Sequence, residues 1–335
     1  MPIASVPVAQ EAGLSRVEDI DRLAAFPLAW IGMAMAGTAA IVLGLLVDAG
    51  ITVHIFTRAA VPILAWLSLT LGTAWFLRTA KTRSWQAVAE ATVNCGLVSI
   101  ISLMGAIATY PVAGRSRGFV DPTLERIDAG LHFHWLDWYL AVAAHPVLQV
   151  AGQLAYQSIY VSPAILLGWF AWHRRRADGR AFLAVVWLAA FLTIALFVAM
   201  PAEGPFARLW HGPVPYMPDS ALWQPELIPA LRHHAIHSID LGQLRGLVSA
   251  PSFHTAAAVL YIATAWPIRQ LRWPLLTLNA LMLLSTPVEG THYLADMLLG
   301  ALVSAVALTG IAALRAFREA SVTRSIAEQR SPLVQ

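Results

Sequence analysis

Residues 181–200 read AFLAVVWLAAFLTIALFVAM, a stretch of twenty residues without a charged side chain. A helix of about 20 apolar residues is long enough to cross the hydrocarbon core of a bilayer. Seven further apolar segments lie at 27–47, 59–77, 86–109, 148–172, 252–267, 273–289 and 292–314. The sequence therefore predicts an all-α fold, a polytopic transmembrane helix bundle of about eight spans.

The composition supports the membrane class. Hydrophobic residues make up 58% of the chain and charged residues 12%, whereas soluble domains carry about 25% charged residues. The net charge of +3 gives no reason to expect a nucleic-acid partner. The single cysteine, Cys95, excludes an internal disulfide and a cysteine-based metal site.

The basic residues predict an orientation. Lys and Arg are enriched on the cytoplasmic side of membrane proteins. One side of the predicted bundle, including both tails, holds fifteen of the 22 Lys and Arg residues. We therefore expect a single transmembrane domain at 26–316, with cytoplasmic tails at 1–25 and 317–335. The first tail lacks the order of a cleavable signal peptide, since acidic and basic residues are mixed in it.

Two long connections lie on the opposite, outer side. Residues 121–146 carry apolar residues at helical spacing, which predicts one or two amphipathic helices in the membrane interface. Trp135 and Trp138 in this segment are expected to belong to an aromatic belt. Residues 201–250 are rich in proline and glycine. Glu203 and Glu289, at the outer ends of spans, are expected to face water.

Two histidines are predicted to lie at one membrane level. Two crossings separate His254 from His292, so both fall on the outer side. Asp296 follows His292 by four residues, which places the two side chains on one helix face. Ionisable groups at span ends suggest a functional site. Asp296 can orient His292 as a base or nucleophile, and His254 can act as the opposing acid, since histidine titrates near neutral pH.

The same residues resemble a known family. PSFHT (251–255) and STPVEGTHYLAD (285–296) are similar to the second and third signature motifs of the type-2 phosphatidic acid phosphatase superfamily. The third motif there is Ser-Arg, five residues, His, three residues, Asp, and Ser285, His292 and Asp296 fall in that register. Phe253 and the HYLAD form are similar to the inositolphosphorylceramide-synthase-like branch. With their flanking residues, the two motifs occupy 249–256 and 285–300.

The resemblance implies an activity on a lipid phosphate at the outer membrane face. His292 would form a phosphohistidine, Asp296 would orient it, and His254 would protonate the leaving oxygen. No metal or cofactor is implied. The expected setting is a bacterial inner membrane, with both termini cytoplasmic and the site facing the periplasm. The expected partners are the lipid substrate and the bilayer.

Three alternatives remain open at this point. The phosphoryl group can pass to water, as in a phosphatase, or to an alcohol, as in an inositolphosphorylceramide-synthase-like phosphotransferase. The chain can also be a non-enzymatic membrane protein that keeps the superfamily core. A vanadate-dependent haloperoxidase shares the histidine motifs, but the many spans argue against that class.

The chain departs from the family pattern in its cationic residues. The first motif, which begins with lysine and ends in Arg-Pro, is absent, and Thr286 replaces the arginine of the third motif. A phosphate site needs cationic donors, so arginines of the outer connections are expected to supply them. The candidate phosphate-binding residues are Arg232 and Arg245 first, then Arg208, with Ser252 and Thr255 beside His254. His233 and His237 have the i, i+4 spacing of metal ligands, but no carboxylate completes a known pattern, so no metal site is expected.

Overall fold

The computed structural model describes residues 26–220 and 222–330. In chain order the helices are α1 (Leu28–Ala49), α2 (Val61–Leu77), α3 (Arg83–Arg115), α4 (Asp121–Gly130), α5 (Trp135–Ala143), α6 (Pro146–Gln157), α7 (Val161–Trp172), α8 (Arg176–Phe197), α9 (Pro205–Leu209), α10 (Trp223–Arg232), α11 (Phe253–Ala265), α12 (Arg272–Glu289) and α13 (Leu294–Arg330). A 3₁₀ turn at Ser158–Tyr160 joins α6 to α7.

The helices agree with a membrane protein. Among the described residues, five helices are long and apolar enough to cross a bilayer: Leu28–Ala49, Arg83–Arg115, Pro146–Trp172, Arg176–Phe197 and Leu294–Arg318. The helices Val61–Leu77 and Phe253–Ala265 are apolar but shorter. A helix also lies at the remaining predicted span, α12. The all-α membrane class is thus confirmed, and the number of eight spans stays a prediction.

The predicted tails are only partly described. Residues 1–25 and 331–335 lie outside the described residues. The last helix continues to Arg330, through most of the segment that we predicted as the C-terminal tail. The boundaries of the catalytic domain stay a prediction.

The main core lies between α7, α8, α11, α12 and α13. Its fully buried side chains include Leu166, Leu183, Ala258, Leu275 and Met282. Small residues on α11 allow its neighbours to approach closely, as is usual at helix interfaces in membranes. This packing positions the first turn of α11, which carries His254, and the first turn of α13, which carries Asp296.

The amphipathic segment forms two short helices, α4 and α5. Trp135 at the start of α5 is 2% exposed and donates a 2.6 Å hydrogen bond from Nε1 to the carbonyl of Pro287. The expectation that Trp135 lies in an aromatic belt is therefore wrong, because the ring packs inside the protein between Tyr139 and Phe206. Trp138 is 38% exposed. The alternation of aromatic and polar residues in this segment gave no means of telling a lipid-facing ring from one buried against α12.

A small sheet joins two connections that are far apart in sequence. Strand β1 (Thr52–His54) pairs in parallel with β2 (Ser238–Asp240), with Thr52 opposite Ser238. Asp240 accepts a 2.6 Å hydrogen bond from the hydroxyl of Thr57. A parallel pair needs a long crossover between its strands, and here the crossover contains α2 to α10. The sheet anchors the connection that leads into the motif of His254.

Candidate active site

His292 is held by the carboxylate of Asp296. His292 lies two residues before α13 and Asp296 lies in its first turn. The distance from His292 Nδ1 to Asp296 Oδ1 is 2.8 Å, and both residues are buried. The second carboxylate oxygen accepts the backbone N–H of Tyr293 at 2.8 Å. Because Nδ1 is the nitrogen that faces the carboxylate, Nε2 is the nitrogen left for chemistry.

Gly290 leaves the space that the imidazole occupies. A Cβ at position 290 would lie 2.4 Å from Cδ2 of His292 and 2.9 Å from the carbonyl oxygen of Thr286. The backbone of Gly290 is in the ordinary right-handed region, with φ −88° and ψ −8°. The glycine is thus needed for close approach to the ring and not for an unusual backbone conformation.

His254 lies in the first turn of α11, stacked on Tyr156. The two ring centroids are 3.8 Å apart and the ring planes differ by 15°. Ser252 caps the helix through its hydroxyl, which accepts the N–H of Thr255 at 3.4 Å. The N–H of Ser252 donates to the carbonyl of Asp296 at 3.1 Å. This bond ties the two sequence motifs directly to each other.

A glycine on α13 permits that contact. A Cβ at Gly300 would lie 2.2 Å from the carbonyl oxygen of Ser252. Any side chain at position 300 would therefore push α13 away from the start of α11 and separate the histidine motifs. The hydroxyl of Thr255, which is 4% exposed, has no hydrogen-bond partner among the described residues.

Both histidines line one cavity of about 380 Å³. Gly290 lies in its wall beside them. The other polar residues of the wall include Gln157, Asp219, Ser220, Gln224 and Arg245, and also Ser102 and Thr109 on α3 and Thr193 on α8. The apolar part of the wall extends between α3, α8 and α11 and includes Val98, Ile101, Val186, Ala190, Ile194, Phe253 and Tyr261. The cavity is thus amphipathic, with both polar and apolar side chains in its wall.

One of the three candidate arginines lines this cavity. The guanidinium of Arg245 lies over the ring of Trp223, 4.4 Å from its centroid, and Arg245 is exposed. Arg208 and Arg232 are not among the lining residues. Of the predicted phosphate-binding arginines, the structure therefore brings only Arg245 together with the histidines.

The other two arginines have partners elsewhere. Arg208 forms a 3.0 Å salt bridge with Glu125 of α4. Arg232 donates to the hydroxyl of Ser116 at 3.0 Å and to the carbonyl of Gly118 at 2.6 Å. Burial lowers the pKa of Arg232 from its ordinary value.

Asp128 is a supporting residue that the sequence reasoning missed. It lies on α4, is 4% exposed, and accepts the backbone N–H groups of Leu294 at 2.9 Å and Ala295 at 2.7 Å. These are the first residues of α13, whose N–H groups have no partner within the helix. Asp128 thus caps the helix of Asp296 from another element. Burial raises the pKa of Asp128, and the two N–H donors oppose that shift.

Asp121, two turns before Asp128 on α4, also accepts backbone N–H groups from another segment of the chain. Its carboxylate accepts the N–H groups of Glu203 at 3.0 Å and Gly204 at 2.9 Å and the hydroxyl of Tyr293 at 3.2 Å. Burial, followed by the charge of Asp121, raises the pKa of Glu203. The seven-residue spacing of Asp121 and Asp128 on an amphipathic helix was the available signal, because it places both on one helix face.

Glu289 is buried, which corrects the expectation that it faces water. It is 1% exposed, and the hydroxyl of Tyr216 donates to both carboxylate oxygens, at 2.7 and 2.9 Å. The carbonyl of Glu289 also accepts the N–H and the hydroxyl of Ser220 at 3.1 and 2.9 Å. These bonds hold residues 216–220 against the end of α12, so that Asp219 and Ser220 form part of the cavity wall.

A comparison with protein families identifies the superfamily of the chain. A family model described as the PAP2 superfamily matches residues 122–310, which is more than half of the chain. The matched segment contains α4 from its second residue, α5 and both histidine motifs. No curated protein and no solved structure matches the chain. Members of the matched family are generally phosphatases, and the long apolar helices fit a membrane protein of that kind. The chain belongs to the PAP2 superfamily.

Proposed function

We propose that this chain is an integral membrane enzyme that moves the phosphoryl group of a lipid phosphate through a phosphohistidine on His292. The observation that carries the proposal is the pairing of His292 with Asp296 at 2.8 Å in a cavity that His254 also lines. His292, with its carboxylate partner Asp296 behind it, and His254 thus border one space. This is the arrangement that covalent catalysis requires.

The proposed first step breaks the phosphate ester. The lone pair on His292 Nε2 attacks phosphorus as the bond from phosphorus to the leaving oxygen breaks. Protonated His254 gives its proton to that oxygen, which leaves as an alcohol. Asp296 stabilises the positive imidazole that forms, since its carboxylate faces Nδ1. The second step reverses these roles: water or an alcohol gives a proton to His254 and attacks phosphorus, and the bond to Nε2 breaks.

Phosphoryl transfer also needs positive groups around the phosphate oxygens. Arg245 is the arginine that lines the cavity, so we assign it this role first. The amino end of α11, which begins beside His254 and includes Ser252 and Thr255, adds the positive end of a helix dipole. The salt bridge of Arg208 and the hydrogen bonds of Arg232 would have to break before either side chain could join.

The shape of the cavity supports a lipid substrate. Its apolar wall descends along α11 from His254 to Tyr261, which are seven residues apart. At about 1.5 Å per residue this is roughly 10 Å into the helix bundle. A phosphate at the histidines would therefore place an attached apolar chain between α3 and α8. We propose no metal and no cofactor for the reaction.

A phosphotransferase is the second candidate, and one side chain favours it. Gln224 lines the cavity and is 2% exposed, and its amide oxygen has no hydrogen-bond partner among the described residues. Gln157 donates to Asp219 at 2.9 Å in the same wall. The inositolphosphorylceramide-synthase-like alternative requires an acceptor alcohol, and the hydroxyl of such an alcohol could donate to the amide oxygen of Gln224. Hydrolysis needs only water, so we place it first.

We also propose the orientation that the basic residues predict. The histidines would face the periplasm of a bacterial inner membrane, with both termini in the cytoplasm. A membrane-impermeant thiol reagent would test this on Cys95→Ser protein carrying a new cysteine at exposed His211. Labelling of intact cells at position 211, but not of a variant with cysteine at exposed Arg78, is expected. The reverse pattern would invert the topology.

The enzymatic proposal is tested with purified full-length protein in detergent. Wild type is compared with His292→Ala and with His211→Ala, which removes an exposed histidine outside the cavity wall. Phosphatidate, isoprenyl phosphates, phosphatidylinositol with ceramide, and ceramide-derived phosphates are the substrates. We expect activity in wild type and His211→Ala, with an acid-labile phosphoprotein that His292→Ala lacks.

Two other outcomes would separate the alternatives. Phosphate release without an added alcohol supports hydrolysis, whereas headgroup transfer that requires the alcohol supports the phosphotransferase. Equal activity of wild type and His292→Ala would refute the phosphohistidine, and absence of activity on every substrate would favour a non-enzymatic membrane protein.

A further inference from the structure

A second cavity lies at the end of the helix bundle opposite the histidines. Its volume is about 610 Å³. It is formed where α7 ends, α8 begins and α11 turns into α12, and α13 completes it with Leu308 to Arg315. His254 is near the first residue of α11 and this cavity is reached at Ala263 and Thr264, about 14 Å further along the helix. The two cavities are therefore separate.

Three arginines from three elements line this second cavity. Arg175 precedes α8, Arg269 lies in the turn between α11 and α12, and Arg315 lies on α13. Asp178 is the one acidic residue among the lining residues, and it binds Arg175 at 2.5 Å and Arg315 at 2.6 Å. The carboxylate fixes two guanidinium groups in place and leaves the cavity with an excess of positive charge, which favours an anionic ligand.

The rest of the cavity wall is apolar. Val185, Ile268, Leu308 and Ile311 form part of it. Trp169 also lines the cavity, and its indole Nε1 is buried without a hydrogen-bond partner among the described residues. An indole N–H is only a donor, so the ligand that satisfies it must supply an acceptor oxygen. Positive charge, an unused donor and an apolar wall are thus combined in one space.

We propose that this cavity binds one anionic phospholipid. The headgroup phosphate would accept from Arg269 and from the pair held by Asp178, an ester or phosphate oxygen would accept from Trp169, and an acyl chain would lie against Leu308 and Ile311. Basic cavities between transmembrane helices on the cytoplasmic side suit anionic headgroups, and the arginine-rich connections lie at this end. The site is independent of the phosphoryl chemistry, since it shares no lining residue with the histidine cavity.

The test compares Arg269→Gln with Arg78→Gln in full-length protein purified in a neutral detergent. Arg269 and Arg78 are both exposed and lie on the same predicted side, but Arg78 does not line the cavity. Binding is followed by native mass spectrometry and by the rise in Tm as phosphatidylglycerol or phosphatidylcholine is added. We expect phosphatidylglycerol to bind in preference, and Arg269→Gln to weaken it about fivefold, with Arg78→Gln like wild type.

A second variant distinguishes loss of lipid binding from a folding defect. Trp169→Phe keeps an aromatic ring and removes the indole donor, so it should also weaken phosphatidylglycerol binding. His292→Ala should bind this lipid like wild type, because the histidine cavity is not involved. Inorganic phosphate should give no shift, since it cannot use the apolar wall. Equal binding of the two lipids, equal loss in the Arg269 and Arg78 variants, or a full shift with phosphate alone would overturn the proposal.

Discussion

Gly290→Ala should damage catalysis, because the new methyl group would displace the ring of His292. The added Cβ would lie 2.4 Å from Cδ2 of His292, whereas ordinary contacts begin at 3.4 Å. The ring must therefore move by about 1 Å, and a 1 Å misplacement of a reacting group can lower the rate about 10²-fold. The methyl group would also lie 2.9 Å from the carbonyl oxygen of Thr286, which limits the room it has to move away from the ring.

The assay measures kcat and KM on the best lipid phosphate, with Tm as a record of folding. We expect kcat to fall about 10²-fold, and the unfolding free energy to fall by about 1–3 kcal/mol from overpacking. Gly72→Ala on α2 is the matched control, since a Cβ at position 72 meets nothing within 4 Å. A folded Gly290→Ala protein with kcat within about threefold of wild type would refute the proposed placement of His292 as nucleophile.

Three further predictions concern carboxylates. Asp296→Asn should keep the fold and lower kcat by about 10³- to 10⁴-fold. The neutral amide can neither orient the Nδ1–H of His292 nor stabilise the positive ring as the carboxylate does. Asp128→Ala should lower the unfolding free energy by about 1–3 kcal/mol in chemical denaturation, since two buried N–H groups of α13 lose their acceptor. Glu203→Gln should be more stable than wild type at neutral pH and equal to it in acid. The pKa of Glu203 is raised in the folded state, so the folded state binds the proton more tightly than the unfolded state. Wild type therefore loses stability as the pH rises through the folded-state pKa of Glu203, whereas Glu203→Gln does not titrate.

Each of these predictions has a result that contradicts it. Asp137→Ala, an exposed carboxylate on α5, is the control for Asp128→Ala, and an equal effect of both would remove the special role of Asp128. Phosphoprotein formation at the wild-type rate in Asp296→Asn would show that the carboxylate does not assist His292. A Tm difference between wild type and Glu203→Gln that is the same at all pH values would exclude titration of Glu203 as its cause.

The sequence was sufficient to predict the helices and the histidine pair, because both depend on short-range patterns. Apolar runs near 20 residues locate helices, and the i, i+4 spacing of His292 and Asp296 specifies a contact within one turn. Counting two crossings predicted that His254 lies near His292, and both histidines line one cavity. These predictions needed no knowledge of how one helix packs on another.

The residues that support the site depend on long-range contacts and were missed for that reason. Asp128 caps a helix that begins 166 residues later, and Asp121 receives N–H groups 82 and 83 residues away. Glu289 was expected to face water because it ends a span, yet Tyr216 covers it from the connection that follows α9. No local pattern shows which distant backbone group a carboxylate accepts.

These buried carboxylates also explain how the site can be positioned without the missing first motif. In this chain α4 holds the start of α13 through Asp128, and Glu289 holds residues 216–220 beside the cavity. The connection between α10 and α11 carries Arg245 into the cavity wall. Tyr110 anchors this connection, since its hydroxyl accepts the N–H of Arg245 at 3.1 Å. A cation supplied by a tethered connection can take the place of one supplied by a helix motif, because the phosphate responds to the position of the charge and not to its origin in the sequence.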